Sequence, residues 1–293
     1  METLETLSAA LRTAQDIQSI VRTMKALSAV SIHQYETAET ALGDYADTID
    51  LGLSAVLQQQ HADGIVQPAG QDARTGREAL IVIGSDRGLC GQYNEVVSRR
   101  AIAEISEQDP LLGVLGARAA ARLEAAGQVP QTLLAVPASV EGFTATVQSV
   151  IVTIDAWADT NHLRRVRLLH NRRKGQHTAQ PVIRQLLPIP QDYLTERRQA
   201  KWPGPGLPFF RMDKAALMSW LVRERLFVML YRALAEALAS EHATRLAAMQ
   251  NAARTLQDRQ DTLNAALRQK RQETITRELL DLVAGYETAQ ATS

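Results

Sequence analysis

Apolar residues recur along the last third of the chain at alternating three- and four-residue steps: Leu246, Met249, Ala253, Leu256, Leu263 and Leu267. This 3.5-residue period marks the seam of a helix that packs against a second helix, and Gln260 interrupts it where another apolar residue is due. Residues 213–283 contain neither proline nor glycine. The pattern therefore predicts one helix of about 70 residues, roughly 105 Å long at 1.5 Å per residue. Asp213 is placed to cap its first turn and Gly285 to end it.

The opening of the chain carries a matching seam. Leu4, Leu7, Leu11 and Ala14 begin with the same spacing, Ile17, Val21 and Met24 continue it with some drift, and no proline interrupts residues 1–67. A helix over 1–57 would run roughly 80 Å, and two terminal helices leaving one side of a central domain pair antiparallel. Such pairing leaves about 15 to 20 residues of the second helix without a mate. Ile275, Leu279, Leu280, Leu282 and Val283 lie on that overhang. A lone helix with so much apolar surface needs a sleeve on another protein.

Between the helices the pattern changes. Residues 58–77, polar and then rich in glycine and proline, read as a loop. Residues 78–190 alternate strand and helix. Ala79-Leu80-Ile81-Val82-Ile83-Gly84 is a continuous apolar run, the mark of a strand covered on both faces. A glycine-rich turn follows, then a helix over 92–107, a second apolar run over 111–116 and an alanine-rich helix over 117–126. A third helix is expected over 143–158. Residues 166–170 and 181–187 flank a turn near Lys174-Gly175 and read as a hairpin. Residues 191–212, dense in proline and glycine, form a stiff connector to the last helix, 213–287.

Composition narrows what this architecture can do. The 293 residues are 45% hydrophobic, the content of a folded protein, and 32 basic residues balance 32 acidic ones. There is no global field to draw nucleic acid or an anionic membrane. One cysteine excludes an internal disulfide and any cysteine-rich metal site. No run approaches 18 apolar residues, and the first residues carry acids where a secretory signal carries bases, so a soluble cytoplasmic chain is expected, one that a membrane complex can hold.

The turn Gly84-Ser85-Asp86-Arg87-Gly88-Leu89-Cys90-Gly91 is the best candidate for chemistry, because glycine-rich strand-to-helix loops bind phosphates. Its glycine spacing matches neither the dinucleotide fingerprint nor a P-loop, so it reads as a structural turn. Cys90 has no histidine near it in sequence and reads as a buried small residue. The six histidines, His33, His61, His162, His170, His177 and His242, show no metal-ligand spacing and read as surface or packing residues. Arg164, Arg165, Arg167, Arg172, Arg173 and Lys174 cluster along the hairpin without interleaved aromatics, which favours a solvated hairpin or a protein contact over nucleic acid.

Three stretches carry a family likeness. Ser85-Asp86-Arg87-Gly88-Leu89-Cys90-Gly91 with Asn94, the run from Leu230 through Arg232 and Glu236 to Glu241, and Arg271-Gln272-Glu273-Thr274-Ile275-Thr276 with Val283-Ala284-Gly285 resemble, in the same order, the gamma subunit of F-type ATP synthases. The resemblance implies an α/β fold plus a long antiparallel coiled coil, with N- and C-terminal helices flanking a Rossmann-like α/β domain. It implies a central rotor shaft, one copy per complex, inside a ring of three alpha and three beta subunits. The α/β domain then stands with the epsilon subunit on the membrane rotor ring of c subunits. The shaft is peripheral, on the cytoplasmic face of the cell membrane, and not itself an enzyme, with no cofactor, metal or nucleic acid. It further implies that Met24 and Lys25 face the moving part of beta, and that Arg271, Gln272 and Thr276 hydrogen-bond a loop of beta. Ser85, Asp86, Arg87, Gly88 and Gly91 form the family motif of the central domain. Ser31, Ile32, His33 and Gln34 stand where the family carries more cations, and Gly91-Gln92-Tyr93 also departs from its pattern. These departures imply a divergent or alternate F-type enzyme that moves H+ or Na+. The ion ligands lie in the rotor ring, so this chain leaves the choice open.

Overall fold

The computed structural model describes residues 3–62, 76–175, 178–204, 206 and 208–291. It divides into two compact units, one of residues 28–245 and one of residues 1–27 with 246–293. Two long helices, α1 (Leu4–Ala41) and α7 (Lys214–Ala291), contribute to both.

The larger unit is built on a five-stranded sheet in the order β3-β2-β1-β4-β5. Its strands are β1 (Glu78–Ile83), β2 (Leu111–Leu115), β3 (Thr132–Leu134), β4 (Arg165–Lys174) and β5 (Thr178–Leu187). β1 pairs in parallel with both β2 and β4, β3 with β2, and β4 and β5 form the antiparallel hairpin. Because side chains alternate across a strand, the apolar run of β1 feeds two cores. Leu80 and Val82 pack with α3 (Tyr93–Gln108) and α4 (Ala117–Ala125), through Val97, Ala101, Ala120 and Leu123. Ile81 and Ile83 pack on the other face with α5 (Phe143–Asn161) and with Leu226, Leu230, Leu234 and Leu238 of α7. On the same face Tyr35 of α1 stacks on Phe143 at 5.7 Å between ring centres. Gly116 (φ 108°) takes a left-handed turn into α4, where a Cβ would come within 2.6 Å of the Ser85 amide nitrogen.

A second cluster joins α2 (Gly43–Ala62), α6 (Gln191–Gln199) and the start of α7 through Ile49, Leu53, Val56, Leu221 and Tyr193. The Arg225 guanidinium lies 4.1 Å above the Tyr193 ring, and the Tyr193 hydroxyl donates to Asp50.

In the smaller unit Leu7 and Ala14 of α1 bury themselves with Leu263 and Leu267 of α7, and Leu4, Ala10, Leu11 and Ala266 fill the margins. Low numbers on α1 meet high numbers on α7, so the pair is antiparallel. Farther along α7 the apolar residues Ile275, Leu279, Leu280, Leu282 and Val283 are exposed, Leu282 by 70%.

The structure corrects several expectations. The helix foreseen over 1–57 is interrupted at Leu42, before Gly43, a poor helix former. It then continues to Ala62, through Gln58 and Gln59, which the loop 58–77 was expected to hold. Of the rest of that loop, residues 63–75 lie outside the described residues. The connector 191–212 contains α6, because the proline-free stretch after Pro190 is made of helix formers anchored by Tyr193 and Leu194. Asp213 does cap α7, its carboxylate accepting from the Ala216 amide at 3.0 Å, but Gly285 does not stop the helix. Ile17, expected on the seam, is 43% exposed, and Gln18 stands there instead.

Candidate functional site

The glycine-rich turn follows β1 at the carboxyl edge of the parallel strands, where α/β sheets commonly bind ligands. Its own residues occupy that edge. The two carboxylate oxygens of Asp86 accept from the backbone amides of Ala117, at the start of α4, and of Val136, each at 2.8 Å. A carboxylate thus takes the donors a phosphate would need. Asn94, almost fully buried, accepts from the Ser85 amide at 3.0 Å and donates to the Ser85 hydroxyl at 2.7 Å, and that hydroxyl donates to the Arg87 carbonyl. Gly91 (φ 56°) and Leu89 (φ 63°) are both left-handed. The Gly88 carbonyl accepts from Arg245 of α7 at 3.3 Å, and Arg245 pairs with buried Glu241 at 2.6 Å. Burial pushes the Cys90 thiol up, away from the thiolate a nucleophile needs. The turn is a joint between β1, α4 and α7.

Buried ionisable groups elsewhere in this unit are also engaged with one another. His170 Nε2 lies 2.7 Å from Glu236 Oε2, and Arg184 donates to Glu236 Oε1 at 2.7 Å. Burial holds His170 below the ordinary histidine range. It acts to raise Glu236, but the hydrogen bond from His170 and the Arg184 charge outweigh it and keep that carboxyl low. His242, packed 5.5 Å from the Tyr35 ring, is brought down to about 4, first by burial and then by Arg245 and Arg87. Arg164 and Arg165 of the hairpin cluster reach buried Glu78 at 2.5 and 3.4 Å, Arg167 reaches Glu78 at 3.5 Å and also pairs with Glu104, and Arg173 pairs with Glu36. These cations tie the start of the hairpin to β1, and β4 to α3 and α1. Among the described residues no group of histidine, cysteine and carboxylate side chains has the geometry of a metal site.

The remaining candidates lie on the helix pair. Met24 is half-buried and Lys25 exposed on α1. Arg271, Gln272 and Thr276 are exposed on α7, the Thr276 hydroxyl donating to the Gln272 carbonyl at 2.8 Å. The structure does not bring the two sets together. Lys25 borders a groove with Gln250 and Arg254, and Arg271 lies roughly 25 Å farther along the helix. They form two separate polar surfaces on the helix pair.

The sequence model of a family described as ATP synthase matches residues 3–288. The chain belongs to the ATP synthase gamma family. Curated gamma chains of similar length include that of Granulibacter bethesdensis, 28% identical over 98% of this chain and 99% of the relative. That of Geotalea uraniireducens is 25% identical with the same coverage. Among solved structures, a chain of the Euglena gracilis mitochondrial ATP synthase, in an assembly of OSCP, F1 and c-ring, has a TM-score of 0.63 at 19% identity. It covers 98% of this chain and 95% of its own. A chain from the central stalk and c-ring of the Tetrahymena thermophila enzyme gives 0.57 at 18% identity, over 80% and 99%. These share the fold: long terminal helices around a mixed α/β sheet.

For a gamma-family chain the joint at 84–91 and the buried pairs on α7 are structural. Sequence reading missed the partners of that joint, Glu241 and Arg245, and the buried His170–Glu236–Arg184 set. It also missed the amides of Gln18, Gln257 and Gln260 between the helices. The gap at Gln260 in the apolar period was the one signal of the last.

Proposed function

We propose that this chain is the central rotor shaft of an F-type ATP synthase, a non-catalytic subunit that couples ion flow through the membrane rotor to ATP synthesis or hydrolysis on the beta subunits. The observation that carries this reading, beside family membership, is the bare apolar end of α7 from Ile275 to Val283. An exposed stripe of that size calls for a sheath, and the ring of three alpha and three beta subunits supplies one. The α/β unit would rest with the epsilon subunit on the ring of c subunits, one shaft per complex, peripheral on the cytoplasmic face of the cell membrane. An antiparallel helix pair presents different side chains in different directions. Its contacts with the open and closed states of three identical beta subunits therefore differ, and that difference shifts the nucleotide affinity of each site in turn. Met24 and Lys25 on α1, and Arg271, Gln272 and Thr276 on α7, are the contacts assigned to beta. Ser85, Asp86, Arg87, Gly88 and Gly91 carry load between sheet and shaft. The transported ion, H+ or Na+, is chosen by the membrane ring, and the shaft works alike with either.

The test is composition and coupling of the native complex. The chain should purify from membranes at one copy per three alpha and three beta chains, together with a c-ring. Removing residues 266–293 should abolish or strongly reduce ATP-driven ion pumping by the reconstituted complex, while unchanged pumping would remove the role given to the tip.

A further inference from the structure

Two apolar stripes compete on α1, and the more apolar one faces away from α7. Leu7, Leu11 and Ala14 lead inward, but the same seam continues through Gln18 and Val21, with exposed Lys25 at the rim of the groove. One residue earlier at each step stand Ile17, Ile20 and Met24, followed by Leu27. Ile17, Ile20 and Leu27 are 43%, 58% and 61% exposed, and Met24 is half-buried. Hydrophobic burial alone would turn this part of the helix by about 100°, the angle between neighbouring residues, and put the isoleucines inside. The inner side as it stands packs loosely. Gln18, Val21, Arg22 and Lys25 face Gln250, Ala253, Arg254 and Gln257 across a groove of about 470 Å³.

A chain of amides offsets that preference. Gln260 is 8% exposed and donates to Gln18 Oε1 at 3.2 Å. Gln18 donates in turn to Gln257 Oε1 at 3.3 Å, and Gln257 to Asp261 at 3.2 Å. Turned by one residue, α1 would set an isoleucine against Gln260 and strip a buried amide of its partner, which costs more than the bond itself contributes. Single buried amides in helix seams are known to select one arrangement over more apolar rivals.

We propose that Gln18 and Gln260 are positioning residues: their amide pair fixes which face of α1 meets α7, and so holds the Ile17–Ile20–Met24–Leu27 stripe outward. The use of that stripe, an apolar face turned toward the enclosing beta subunits, rests on the rotor reading. The lock itself does not.

The full chain carrying C90S and one reporter cysteine, Ile20→Cys or Val21→Cys, tests the lock through the rate of reaction with a maleimide. In the parent, position 20 should react faster than position 21 by about tenfold or more, since Val21 is buried and opens only locally. Q260L makes the α7 seam wholly apolar and should reverse that order. Q18L/Q260L makes both inner seams apolar in the parent facing and should restore it with a higher thermal midpoint. A Q260L chain in which both positions react, with the parent order regained in Q18L/Q260L, likewise assigns the facing to the matched pair. The parent order kept in Q260L, or protection lost in both variants, overturns the proposal. Assembled complexes then separate the two readings. If labelling reverses in Q260L and ATP-driven pumping is unchanged, the lock stands and the coupling role of the outward face falls.

Discussion

All six residues of β1 and all five of β2 are buried, while along residues 271–284 of α7 every residue but Thr274 is exposed. The two units have drawn on similar aliphatic residues. In the sheet unit the central strands β1 and β2 have helices packed on both faces, so their apolar side chains find cover within the chain. In the coil unit a helix has one neighbour at most, and a single neighbour covers one stripe. Stability therefore resides in the first unit, and the surface left for partners in the second. The buried ionisable groups follow the same division. Glu236 with His170 and Arg184, and Glu241 with Arg245, lie where the sheet unit encloses α7, whereas the ion pair near the tip, Lys270–Glu273, is solvent-exposed.

The sharpest way to break this contrast is to remove a core ring. Phe143→Ala empties the space between Tyr35, Tyr231 and the sheet, and should cost about 3–5 kcal/mol in urea unfolding. Leu263→Ala in the coil should cost about 2 kcal/mol, because the pair can close around the loss. Equal costs would mean that the coil is packed as tightly as the sheet.

Acid provides the next largest effect. His242 titrates at about 4 in the folded chain against an ordinary value of 6.5, so between those values the unfolded chain binds the extra proton. Stability is then full above pH 6.5 and lost as pH falls toward 4, by up to about 3 kcal/mol before allowance for solvent screening. His170, also held low, adds to the loss in the same direction. Glu236, whose folded value is depressed, adds its part only below the ordinary carboxyl range, as pH falls through that folded value. His242→Gln should flatten the slope between pH 6.5 and 4, and a slope unchanged by that substitution would assign the acid response elsewhere.

Asp86→Ala leaves the Ala117 and Val136 amides without their acceptor and should lower stability by about 1–2 kcal/mol, with Asp86→Asn losing less because one acceptor oxygen remains. The smallest effect is expected at the tip. Leu280→Gln should change the free chain's unfolding free energy by less than about 0.5 kcal/mol while reducing its self-association in sedimentation, since the side chain is 64% exposed.

Much of this is readable in the amino-acid sequence. The run 79–83 announced a strand covered on both sides, and the leucine spacing announced a helix pair. Other parts were hidden by local signals that pointed the wrong way. The prolines around residues 188–208 masked α6, whose helix forms because Tyr193 and Leu194 dock on α2. The three residues of β3 are too short to show a period. Gly285, a common helix stop, is passed through at a cost of about 1 kcal/mol relative to alanine. On α1 the periodicity favoured Ile17 for the seam, because counting apolar residues ignores what stands opposite.

Sequence by itself determined the helix-sheet-helix order, the two-faced strands and the unmated apolar stretch on α7, since each follows from spacing within one segment. Tertiary structure alone decided which stripe of α1 turns inward, and which distant groups, Arg245 on Gly88 and Glu236 on His170, close the joint between sheet and shaft. The reason is physical: periodicity reports the faces a segment owns, whereas a buried amide or charge is stabilised only by a partner whose position depends on the rest of the fold.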